Sequence, residues 1–188
     1  ETWTGFRQGV LFIAGAEADH ALRYPGADGD LKFLSHLEEL PESSSSEGFA
    51  GSEVYNRHTD ANLHAGLNAS LAKAMKEPGE WKRLAGRQKQ YPLEVYAAGT
   101  GMLDGFIKRY DREIQTRLFT AIAANDAHRN TVLNGVLFDP YEVAFRFVST
   151  HILARDLKED QIRESLREGH AYVAFDWLCD PSGFHFVA

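Results

Sequence analysis

The chain has 188 residues, 44% of them hydrophobic and 25% charged, the make-up of one folded domain or of a domain with an appendage. Its formal net charge of -7 and the lack of any Lys/Arg run argue against a nucleic-acid surface, so no nucleic-acid partner is expected. A single cysteine, Cys179, excludes an internal disulfide, and the apolar runs are too short to span a bilayer, so no membrane association is expected.

In chain order, Val10 to Ala16 reads as a buried strand, continuously apolar and ending in small residues. Leu31 to His36 is a second strand, followed by a polar stretch, Glu38 to Glu47, whose four consecutive serines mark a surface loop. Gly51 to Asn56 is a third strand. His64 to Lys76 reads as a helix with Leu67, Leu71 and Met75 on one stripe, and Pro78-Gly79 as its stop. Tyr91-Pro92 opens a short helix. Met102 to Leu118 is a longer amphipathic one, with Leu103, Phe106, Tyr110, Ile114 and Leu118 on its apolar face. Phe119 to Ala124 is a strand.

From Pro140 onward the pattern is β-α-β. Val143 to Ala154 is a strand, a helix follows near Lys158 to Glu168, and Tyr172 to Trp177 is the last strand. Asp156 with Glu159 reads as a capping box for that helix, and Gly169 as its end. Strands and helices alternate, so the fold class is α/β with a mainly parallel sheet or barrel.

Metal-type ligands fall at strand ends. Glu17 follows Val10–Ala16, His36 closes the second strand, and Asp126 and His128 follow Phe119–Ala124. Parallel α/β barrels build their sites at the carboxyl ends of strands. Carboxylate and imidazole together suit Zn, Mn or Fe, whereas an all-oxygen set suits Mg or Ca. Each residue also has an ordinary reading. Asp126 can cap a helix, His128 can be a turn residue, His36 a hydrogen-bonded rim histidine, and Glu17 a cap or an ion-pair partner. Arg57 and His58, just past the third strand, are candidates for phosphate or metal contact, against a rim-loop role with Asp60. His20 is a candidate substrate contact or ligand, or a loop histidine. His151 reads as a core histidine, and His64, His170 and His185 carry no assigned role.

Gly15-Ala-Glu17 after an apolar run looks like the G-x-E element of the polymerase-and-histidinol-phosphatase (PHP) family. Phe33-Leu-Ser-His36 resembles the strand that follows it, and Ala124-Asn-Asp-Ala-His128 resembles the family's late D-x-H motif. Glu53 to His58, Thr150 to Leu153 and Ala171 to Phe184 resemble a subgroup with a further β-rich domain after the barrel. The resemblance implies an incomplete TIM-like (β/α) barrel over residues 1–138 and a β-α-β appendage over 139–188. It implies hydrolysis of a small phosphomonoester by a metal-bound hydroxide, with Glu17, His36, Asp126 and His128 as ligands and two or three divalent ions in the complete protein. The family's opening H-x-H is not in this sequence. The missing ligands are therefore expected upstream of Glu1, and the chain alone is expected to be a poor catalyst. An amidohydrolase-type hydrolase is the first alternative, disfavoured because no lysine sits at a strand end. A binding module that has lost its metals is the second. A soluble protein of the cytoplasm or periplasm is expected.

Overall fold

The computed structural model describes residues 3–184, so His185 lies outside the described residues. The chain forms two compact units, each assembled from three stretches. The first runs up to Tyr55 and adds Leu103–Ala123 and Thr150–Val173; the second comprises Asn56–Met102, Ala124–Ser149 and the stretch from Ala174 onward. Residues 139–188 are thus shared between them. No helix among the described residues is long and apolar enough to cross a membrane.

The first unit begins with an antiparallel hairpin of β1 (Gly5–Arg7) and β2 (Val10–Phe12). Gln8 and Gly9 at its tip have φ of 53° and 80°, the pair of left-handed residues that a two-residue hairpin turn requires. The buried strand expected over Val10–Ala16 is therefore divided. The turn folds the run back onto residues 5–7, leaving Val10 and Phe12 exposed, with Trp3 packed 5.9 Å from Phe12.

A five-stranded sheet follows, of β3 (Ala16–Ala18), β4 (Ala21–Tyr24), β5 (Leu31–Leu34), β6 (Gly51–Asn56) and β7 (Thr120–Ala124), hydrogen-bonded in that order. β3, β4 and β5 meander antiparallel, and β5 pairs parallel with β6. The described residues also contain three two-stranded ribbons, and β3 and β7 are the edges of the larger sheet. Leu31, Phe33 and Ile122 form its buried core, with Leu22, Tyr24 and Leu166 packed against them. Gly51 is required at the β6–β7 pairing, because a Cβ there would run into the Thr120 carbonyl.

The link from β5 to β6 buries Leu37 at its start, and its serine run is held through backbone carbonyls. Helix α5 (Asp104–Ile114) directs Arg109 to Ser44 O at 2.7 Å and Arg112 to Glu42 O at 3.0 Å. Just beyond that helix, Arg117 reaches Ser46 O at 2.8 Å and Phe49 O at 3.1 Å. The expected β-α-β pattern is partly realised. Ser149–Ile152 (β10) pairs with Ala171–Ala174 (β11), but Val143 and Ala144, expected to open that strand, belong to a helix over Tyr141–Ala144. Helix α7 (Glu159–Arg167) starts at Lys158, not Asp156. The Asp156 carboxylate is already engaged by the Leu157 N–H at 2.9 Å and by Lys158 at 2.6 Å. Gly169, at φ 73°, ends the helix as expected.

The second unit is mainly helical. Asn56 caps α1 (Arg57–Leu63) by accepting from Thr59 N at 3.0 Å. His64 caps α2 (Ala65–Lys76) in the same way, its Nδ1 accepting from Leu67 N at 3.0 Å. Pro78, expected only as a stop, opens a further helix, α3 (Pro78–Gln90), where its lack of an N–H costs nothing. Then come α4 (Pro92–Ala97), the ribbon β8 (Val132–Leu133) and β9 (Val136–Leu137), and α6 (Tyr141–Ala144). Phe147 is fully buried and lies within 6.1 Å, ring to ring, of Tyr96, Phe175 and Trp177.

Candidate metal centre and its cavity

Each of two neighbouring strands, β6 and β7, is followed within two residues by a site residue. After β6, Asn56 caps α1 and so sets the first-turn residue His58. After β7, the chain continues through Asn125 to Asp126, whose φ of 49° is left-handed. Asp adopts that conformation more readily than most residues, at a cost on the order of 1 kcal/mol. Two residues on, His128 Nε2 lies 3.5 Å from Asp126 Oδ1, and the His58 and His128 rings are 5.3 Å apart at 69°. One ligand atom from each of His58, Asp126 and His128 lies within 4.8 Å of the other two.

The loop bearing this cluster is fixed from behind. Asn56 Nδ2 approaches Asp126 Oδ2 at 3.5 Å. Buried Asp139 accepts from Asn130 N at 3.1 Å and from Thr131 N at 2.9 Å. Asn125 donates to Val148 O at 2.9 Å. Neither Asn56 nor Asp139 stands out in the sequence. The Asn-x-x-Thr spacing of residues 56–59 is the only signal for the first, as a cap.

His58 and Asp126 line a cavity of about 640 Å³ together with Leu67, Leu71, Leu84 and Phe138. Glu80, Arg83, Leu84 and Arg87 also line it, at the i, i+3, i+4, i+7 spacing of one helical face of α3, and Lys73 joins them from α2. Arg83 is ion-paired with Glu80. That hydrogen bond, with the charges of Arg83, Lys73 and Arg87, holds the Glu80 carboxyl below the usual carboxylate range. The Tyr96 phenol, another lining group, is pushed up to about 12. Burial is the main cause there; Arg57 opposes it, and Asp139 and Asp126 add to it.

Of the remaining expected residues, Arg57 also lines the cavity, and the others do not. Arg57 is buried, its Nε donating to Tyr96 O at 3.1 Å and its Nη2 to Ala98 O at 3.3 Å. The guanidinium stacks 5.2 Å from the Tyr96 ring and 5.4 Å from that of Phe147. It serves as a strut of the second unit, where a phosphate would have to compete with two carbonyls. Glu17 and His36 belong to the first unit, where they meet: Glu17 Oε1 is 3.2 Å from His36 Nε2. Glu17 sits in the middle of the short strand β3 rather than beyond a buried one. His36 Nδ1 is 3.1 Å from Glu38 Oε1, and the His36 N–H donates to the buried Glu53 at 3.0 Å. Burial raises the pKa of the Tyr24 phenol, and Glu53 and Glu17 add to the shift. His20 occupies the Asp19–His20 turn at φ 57°, with its Nδ1 3.6 Å from Glu39. His151 stacks on Tyr172 at 5.0 Å.

No family model matches the chain, and comparisons with curated proteins and with solved structures give no match.

Proposed function

We propose that the chain is a metal-dependent hydrolase of a small phosphomonoester, with His58, Asp126 and His128 as ligands of a divalent ion. One observation carries the reading: the three donor atoms lie within 4.8 Å of one another, with His58 and Asp126 in the wall of a cavity of about 640 Å³. Two atoms bound to one ion at about 2.0–2.2 Å lie within roughly 4.5 Å of each other, so a small closing movement brings all three into range. Two imidazoles and a carboxylate form a donor set suited to Zn, Mn or Fe.

A bound ion would polarise a phosphoryl oxygen and acidify water. The protein's own groups supply the positioning. Asn56 orients the Asp126 carboxylate, and Asp139 fixes the N–H groups of Asn130 and Thr131, so that His128 is presented from a closed loop. Such supporting groups typically matter about 10–100-fold in metal affinity or activity. Glu17 and His36, the other two ligands that the PHP resemblance implies, belong to the first unit, where they pair with each other at 3.2 Å, and are not part of this ligand set.

The test is hydrolysis of p-nitrophenyl phosphate by the chain after chelation and after return of Mn or Zn. Turnover that appears with the ion and is abolished by His128→Ala is the expected result. Turnover indifferent to chelation, or equal in the variant, would remove this function from the cluster.

A further inference from the structure

The cavity has chemistry that a phosphomonoester alone does not use. Its volume is about 640 Å³, in the range of sites that enclose a whole small organic molecule. Its charged lining groups come from two sets of elements. Arg57, His58, Asp126 and Asp139 come from α1 and the segment after β7. Lys73, Glu80, Arg83 and Arg87 come from the end of α2 and one stripe of α3. Leu67, Leu71 and Leu84 supply apolar lining, and Leu84 lies within the cationic stripe.

The electrostatic effects divide in the same way. Asp126 and Asp139 act on the Tyr96 phenol, whereas Lys73, Arg83 and Arg87 act on the Glu80 carboxyl. Three cations against one carboxylate is a local excess of positive charge in a chain whose net charge is -7. Arg83 and Arg87 are one turn apart, so both guanidiniums address the same face.

We infer that Lys73, Arg83 and Arg87 form a second anion subsite, so the substrate is a phosphoester with an apolar body and a second anionic group, a carboxylate or a further phosphate. This rests on the hydrolase reading above for the phosphoryl end. It adds selectivity. A substrate lacking the second anion leaves the cations to water, whereas one carrying it gains a charge-assisted contact.

Calorimetric binding of two non-hydrolysable probes in the presence of Mn separates the two ends. Benzylphosphonate carries only the phosphoryl mimic; 4-(phosphonomethyl)benzoate adds a carboxylate across the ring. The expected result is about tenfold tighter binding of the carboxylated probe, equivalent to about 1.4 kcal/mol. The double variant R83Q/R87Q should erase that preference and leave benzylphosphonate affinity unchanged. Both side chains are exposed, so the fold tolerates the change. Asp126→Asn should weaken both probes alike and keep the preference. Equal affinity for the two probes, or no binding of either, overturns the inference. So does a double variant that weakens both by the same factor, since the stripe would then hold the phosphoryl group itself. A preference that follows Arg83 and Arg87 but ignores both Mn and Asp126→Asn upholds the anion subsite and refutes the hydrolase reading.

Discussion

In the first unit the His36 imidazole has a carboxylate on each ring nitrogen, Glu17 on Nε2 and Glu38 on Nδ1, while its backbone N–H is bound by Glu53. In the second unit His128 has Asp126 on Nε2, and the ring of His58 lies 5.3 Å away. The residue types are the same and the arrangements are not. Carboxylates only accept, so an imidazole between two of them has an acceptor facing each ring nitrogen and no nitrogen turned to a further ligand. That arrangement closes the end of β5 into the turn that follows it. In the second unit two imidazoles share one carboxylate, and His58 and Asp126 line a cavity. The ratio of imidazole to carboxylate, more than the presence of either, separates a structural clamp from a candidate ligand set.

The comparison breaks most directly at Asp126. An ion present at a hundred times its dissociation constant stabilises the native state by about 2.7 kcal/mol. Thermal melts with and without Mn or Zn should show a gain of that order, and Asp126→Asn should lose most of it. Glu38→Gln, in the clamp, should leave the gain intact. If the two variants respond alike, the ligand set has been assigned to the wrong unit.

Arg57 gives an effect of similar size, and on stability rather than on metal. Arg57→Met retains much of the packing between Tyr96 and Phe147 but leaves the Tyr96 and Ala98 carbonyls without their donor. A loss of about 3 kcal/mol is expected from two charge-assisted bonds in a buried setting. Urea unfolding measures it. A loss below about 1 kcal/mol would mean that water replaces the guanidinium, and Arg57 would regain its candidacy as a phosphate ligand.

Much of this architecture is legible in the sequence, and the gaps have physical causes. β6, β7 and α2 lie within two residues of their expected limits because their apolar patterns are clear, and α4 opens at Pro92 as expected. D-x-H marks Asp126 and His128 because both residues follow one strand. His58 is less visible, since its place depends on Asn56 turning the chain into α1 directly after β6. The apolar run at Val10 misleads because a two-residue turn at Gln8-Gly9 takes precedence over hydrophobicity. Val132-Leu-Asn-Gly-Val-Leu137 is not among the expected strands, although Asn-Gly between apolar pairs is the strongest short-range hairpin signal, and the structure forms a hairpin there.

That turn provides a smaller test within the second unit. Asn134 and Gly135 have φ of 44° and 78°. Gly135→Ala meets no neighbouring atom but must hold a left-handed conformation, so a loss of about 1 kcal/mol is expected from backbone strain alone. Metal-dependent stabilisation should be unchanged, since the cluster's support comes from Asp139 and Asn56. A weakened metal response in this variant would mean that the ribbon also shapes the ligand loop.

The smallest effect lies in the first unit and is read through pH. Asp28 is held down to about 2, chiefly by a side-chain hydrogen bond from Arg167 and further by its own backbone and Arg163, with desolvation opposing. The unfolded chain takes up that proton near the ordinary carboxylate value of about 3.9. A depressed folded value means the contribution is fully present above about pH 4 and is lost as pH falls through about 2. The stability gap between the native sequence and Asp28→Asn should therefore be flat at neutral pH and shrink between about pH 4 and pH 2. Glu80, Glu113 and Asp156 are shifted down as well, so only the difference between the two proteins isolates Asp28. The gap itself stays small. Asp28 is exposed and screened by salt, and Arg163 keeps the Tyr24 carbonyl at 2.8 Å when the carboxylate is gone. Urea midpoints taken from pH 6 to pH 2 supply the measurement. A gap that remains constant down to pH 2 would show that the Asp28 pairing contributes nothing in solution, leaving the carbonyl contacts of Arg163 as the tie to that loop.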